Sequence, residues 1–159
     1  MANWEKLIQN FFAHSDPDES FARIAPAGCD ASAIAKSESE IGTSLPEELR
    51  IFYQHANGIG LGDAPTDSPR FIPPVESLPD FVNSARSSFS ETHPKHAARY
   101  IPFIDWENGD STGYFLNDDE TLFDYLLIFS HEHYDYNDEQ DINEFLTPFA
   151  ESLQELLSR

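Results

Sequence analysis

Cysteine is nearly missing from this chain of 159 residues: Cys29 stands alone, so no disulfide can close within it. No Cys-centred catalytic signature surrounds it, which removes the case for a thiol nucleophile. No stretch approaches the ~18 uninterrupted apolar residues of a membrane helix. The opening "MANWEKLIQNFF" has neither the basic region nor the long apolar run of a secretory leader. The expectation is a reduced, cytoplasmic protein that does not span a membrane.

Positive charge is the most telling shortage. Nine Lys and Arg face 29 Asp and Glu, a formal charge of -20. From Ile101 to Ser158 there are fifteen acids and no Lys or Arg. Such a block repels phosphate backbones and anionic lipid, which need cationic partners, so direct nucleic-acid or membrane binding is not expected. It steers basic partners instead, at rates that fall as salt screens the field. Acidity that only keeps the protein soluble is the plainer alternative.

Chemical motifs are scarce as well. "NGIGLGD" lacks the G-x-G-x-x-G spacing and follows a helix where a strand should stand, so it cradles no dinucleotide. There is no G-x-S-x-G elbow, Walker loop or H-E-x-x-H pair, and no cofactor is implied. His131 and His133, two apart, would face the same way on a strand and could share a metal with Asp135, the basis of a rival reading as a small metal-dependent hydrolase. A calcium loop beginning at Asp135 fails at Gln140, where the turn wants Gly, and at Leu146, where a bidentate Glu is required. Carboxylate pairs drawn from Asp105, Glu107, Asp110 and residues 118–120 prove nothing in so acidic a segment.

What is present builds one domain. Apolar residues make up 40% of the chain and include thirteen Phe, enough for a single core. Trp4, Leu7, Ile8, Phe11 and Phe12 share one face of a helix over residues 3–13, with Asn3 as a possible cap. Asp30 can cap a second helix over 31–41, ended by Gly42. "TSLPEELRIFYQHANG" reads as a third, with Pro46 at its first position, Leu45, Leu49, Phe52 and Ala56 on its packing face, Tyr53 and His55 exposed or half-exposed, and Gly58 closing it. "GIGLGDAPTDSP" reads as loop before a short extended piece at Phe71 and Ile72. Phe81, Val82, Ala85 and Phe89 mark a fourth helix from about Pro79. "RYIPFID", "TGYFLN" and "YLLIFSH" suggest a three-stranded antiparallel meander, with a turn at Asn108-Gly109. Ile142, Phe145, Leu146, Phe149, Leu153, Leu156 and Leu157 fall at helical spacing, with Pro148 as a kink or fresh start. Helices, then sheet, then helix is an α+β order.

The succession of these features resembles the SUKH superfamily, in particular the branch named after a yeast regulator of cell-wall synthesis. The shared positions run from Ile34 and Glu38 through Ile41-Gly42, Leu45-Pro46, Glu47, Glu48 and Leu49, Phe52-Tyr53 and Asn57-Gly58. They continue with Ile72-Pro73, Tyr100-Ile101-Pro102-Phe103, Gly109-Asp110, Tyr114-Phe115-Leu116, His131-Glu132 and Phe149-Ala150-Glu151-Ser152-Leu153, covering about residues 30–158. The resemblance implies a single α+β domain, a central antiparallel sheet with helices packed around it. It implies no catalytic residues: bacterial members are commonly immunity proteins that bind and block a toxin domain, often a nuclease, and fungal relatives are signalling modules. "DWENGD", which inserts Trp106 and Glu107 after "IPF", departs from the family's glycine-rich acidic turn. The expected contacts with a basic toxin domain are Trp106, Glu107, Asp110, Asp118, Asp119, Glu120, Asp135, Asp138 and Glu139. Trp106 serves either as a binding anchor or in strand packing. A regulatory scaffold without a toxin partner is the third reading. Oligomeric state stays open.

Overall fold

The computed structural model describes residues 2–159. Asn3 accepts from the Lys6 amide and starts α1, Trp4–Ser15, which runs two residues beyond the expected helix. Asp30 caps α2, Ala31–Ile41, through the Ala33 amide, and Gly42 ends it at φ 89°, a left-handed geometry that glycine adopts without strain. Helix α3 spans Glu47–His55, with Pro46 just outside as its cap rather than at its first position. Helices α4, Leu78–Ser87, and α5, Pro94–Arg99, lead into the sheet. Helix α6, Leu153–Ser158, closes the chain, capped by Ser152.

The meander has four strands rather than three: β3 (Tyr100–Asp105), β4 (Ser111–Phe115), β5 (Leu126–Phe129) and β6 (Leu146–Ala150), antiparallel in that order. Residues 142–157 are therefore not one helix. Ile142–Glu144 is a single 3-10 turn, and β6 follows before α6 begins. Pro148 fits because β6 is an edge strand, where a missing N–H costs no ladder bond. The expected Gly-rich loop also holds structure: β2, Gly60–Gly62, pairs with β1, Ala22–Ile24, in a second, two-stranded sheet. Ile72 then bridges to Ile59.

The main core lies between the helices and one face of the four-stranded sheet. Trp4, Ile8 and Phe12 of α1, Leu49 and Phe52 of α3, Ile101, Phe103 and Leu126 of the sheet and Leu153 and Leu157 of α6 are buried together. A smaller cluster built on Phe89, Tyr100, Phe129, Tyr134 and Phe145 covers the other face. Each large side chain withdrawn in this way contributes roughly 1.5–3 kcal/mol.

The positions that carry the family resemblance are tied by polar latches as well as burial. Glu38 accepts from the Leu45 amide at 2.7 Å, bracing the link from α2 to α3. The Tyr53 hydroxyl donates to the Pro73 carbonyl at 2.8 Å; this ring is fully buried, not exposed as its sequence position suggested, whereas His55 is exposed. The Asn57 side chain accepts from the Val75 amide and donates to Glu76. Gly58 stands at φ 93° with its α-carbon so close to the Ile72 carbonyl that a β-carbon would collide with it. Glu48 reaches furthest: its carboxylate accepts from the Tyr114 hydroxyl at 2.7 Å and the Leu153 amide at 2.8 Å, joining α3, the sheet and the start of α6.

Candidate partner-binding surface

An up-and-down sheet sorts its connections between two ends. The β3–β4 turn and the β5–β6 connection share one end, and the β4–β5 connection occupies the other. Trp106, Glu107, Asp110, Asp135, Asp138 and Glu139 belong to the first end, whereas Asp118, Asp119 and Glu120 belong to the second.

At the first end the β3–β4 turn closes through the Trp106 amide on the Asp110 carbonyl and the Glu107 amide on the Asp105 carboxylate. Glu107 is left-handed at φ 60° and exposed. Asp110 fastens the turn to the next connection: its carboxylate accepts from the His131 amide at 2.9 Å and from His131 Nδ1 at 2.6 Å. Beyond it the chain wraps around Gln140, whose side chain accepts from the Asp135 amide and donates to the His133 carbonyl. The Gln140 carbonyl and the Tyr134 hydroxyl anchor this wrap to His93 and Thr92 on the α4–α5 side. Asp135, Asp138 and Glu139 are left exposed around Tyr136. Tyr136 was not among the expected contacts, yet its ring is 78% exposed, its backbone sits at φ 57°, and it rests 4.6 Å from the ring of Tyr134. A bulky residue in that conformation is uncommon enough to mark a shaped loop. The sequence signal was its tyrosine in an otherwise acidic, polar run.

At the second end, Asp118 meets Arg99 at 2.6 Å, and Asp119 accepts from both the hydroxyl and the amide of Thr121. Those Thr121 bonds hold the Asp119 carboxyl below its ordinary range. Glu120 is exposed and left-handed at φ 67°.

Trp106 is half-buried and serves packing. Its Nε1 donates to Thr112 Oγ1 at 2.9 Å, and its ring lies edge-on to Phe71 at 5.2 Å and to Phe149 at 5.7 Å. With Phe11, Leu61 and Leu157 these rings line a groove of about 410 Å³, rimmed by Asp105, Glu107, Arg70 and Arg159. Arg70 leans on Glu107 at 3.6 Å, and Arg159 lies over the Phe149 ring while bonded to Glu155.

The strand geometry imagined for a metal at His131 and His133 does not exist. His131–His133 is a 3-10 turn, and the first imidazole is engaged with Asp110. Among the described residues, no group of three or more His, Cys, Asp or Glu is gathered for a metal ion. No described helix is long and apolar enough to cross a membrane.

Two comparisons with known proteins bear on this arrangement. The model of the SMI1 / KNR4 family (SUKH-1) matches residues 28–159, from just before α2 to the end of α6. Among curated proteins, none matches the chain.

Proposed function

This chain belongs to the SMI1 / KNR4 family (SUKH-1), and on that premise we propose that it is a non-catalytic binding module, an immunity protein that occludes a basic toxin domain. The observation that carries the reading is the first end of the sheet. There Asp135, Asp138 and Glu139 flank an exposed, backbone-constrained Tyr136, and the β3–β4 turn at the same end adds Glu107 and Asp110, the latter fastened to His131, with Trp106 bracing that turn from beneath. A tyrosine anchor inside a charged rim is the anatomy of a hot spot: the ring supplies buried area at little entropic cost, and the carboxylates steer and orient the encounter. Asp118, Asp119 and Glu120 add to the long-range field from the opposite end.

The test begins with low-salt capture of a basic toxin-like protein from the source cell, followed by association kinetics. Reversing Glu107, Asp135, Asp138 and Glu139 to Lys is expected to slow association and flatten its salt dependence, while Tyr136→Ala speeds dissociation by tenfold or more, about 1.4 kcal/mol. Unchanged kinetics in both variants would sink the assignment of this end.

A further inference from the structure

We propose that the opposite end of the sheet, the β4–β5 connection, is a second docking surface, shaped for a basic protein segment that carries apolar side chains. It goes beyond the reading above and does not depend on it. Among the described residues few large apolar side chains are exposed, and three lie in this connection: Leu122 at 42%, Phe123 at 38% and Tyr125 at 42%. Four acids flank them within the same connection, Asp118, which is paired with Arg99, and Asp119, Glu120 and Asp124, which meet no Lys or Arg among the described residues.

The ridge is presented rigidly. Leu122 bridges back to Leu116, the Phe123 amide donates to the Phe115 carbonyl at 2.8 Å, and the Asn117 amide donates to the Thr121 carbonyl at 2.8 Å. The connection is thus a short hairpin whose ordering entropy is spent on folding, not on binding. The Phe123 and Tyr125 rings stand 6.0 Å apart. A hollow opens on either side: one of about 220 Å³ reaches Phe115, Leu127 and Ile142 beside Phe123, and one of about 400 Å³ runs beside Tyr125 to Glu151. Both hollows end at Pro148 on the edge strand β6.

Chemistry selects the occupant. A second copy would bring another -20 charge against these acids, which disfavours self-association. Strand addition is blocked where Pro148 offers no N–H and where the Phe149 carbonyl already accepts from Arg159. What fits is side-chain docking, with an apolar group in the hollow beside Phe123, the stem of a longer side chain along Tyr125 toward Glu151 and Glu155, and Lys or Arg over the acids.

The test uses isotope-labelled full chain titrated with a short synthetic peptide alternating lysine and leucine, followed by amide shifts. A lysine and serine peptide of the same length is the control. The expected result is saturable shifts of residues 117–125 with the leucine peptide and only weak, unlocalised shifts with the serine peptide. The triple variant Leu122→Ser, Phe123→Ser, Tyr125→Ser should keep its melting profile and lose affinity about tenfold or more. Asp135→Asn, Asp138→Asn and Glu139→Gln together should leave that affinity within about twofold, since they act only through the screened long-range field. No binding, shifts confined to the Tyr136 loop, an affinity indifferent to the triple variant, or self-association through Leu122–Tyr125 would each overturn the proposal.

Discussion

Replacing Glu48 by alanine strands the Tyr114 hydroxyl and the Leu153 amide without their acceptor at the junction of α3, the sheet and α6. The expected cost is about 2–3 kcal/mol of stability in urea unfolding, with Glu48→Gln costing less because one oxygen remains to accept. The tyrosines report the same core by another route. Burial pushes the phenols of Tyr53, Tyr100 and Tyr114 up, and the nearby Glu48 charge adds to the shift at Tyr114. A group raised in the folded state contributes stability that is complete below its unfolded pKa, about 10 for tyrosine, and lost as pH climbs toward the folded value. Absorbance titration should therefore find that three of the six tyrosines ionise only together with loss of the far-ultraviolet dichroism. Independent ionisation of all six before unfolding would refute that burial.

Helix α1 lies outside the span matched by the family model, yet it fills the core that the matched span builds. Trp4 meets the Phe52 ring at 5.9 Å, and Ile8 and Phe12 are buried beside it. A chain shortened to residues 28–159 should lose its sharp melting transition and bind a hydrophobic dye, measured by scanning calorimetry and fluorescence. The sequence made α1 to α4 readable because each has its own period or a local stop: Asn3, Asp30 and Gly42 act within a few residues of themselves. Strand β6 escaped because its apolar residues serve three different neighbours that mimic one helical face. Leu146 joins the small cluster beside Phe145, Phe149 turns to the groove beside Trp106, and Ala150 faces the main core. Strands β1 and β2 escaped because three residues each, two of them glycines in β2, carry no alternation to read.

For the whole molecule, the net charge of -20 works against compactness as well as for solubility. Adding sodium chloride should raise the melting temperature, in contrast to proteins held by surface ion pairs, because here screening relieves mostly repulsion. A melting temperature that falls with salt would mean that Arg99–Asp118 and the other surface pairs outweigh that repulsion. The same global view explains why the proposed binding surface was only half legible. The acids of residues 101–158 are alike in the sequence, and only the up-and-down order of the strands divides them between two ends. The exposed aromatics that give each end its character sit in runs without periodicity, where nothing local tells an exposed ring from a buried one. The Glu48 latch has one more consequence, for synthesis. Its partner on α6 lies 105 residues later in the chain. A ribosome-bound chain that has not yet released α6 holds α1 and α3 with one flank uncovered, so closure is deferred until residues 153–158 emerge. Folding of the domain then waits on α6, and nascent chains stalled before Leu153 should be cut by protease throughout their length.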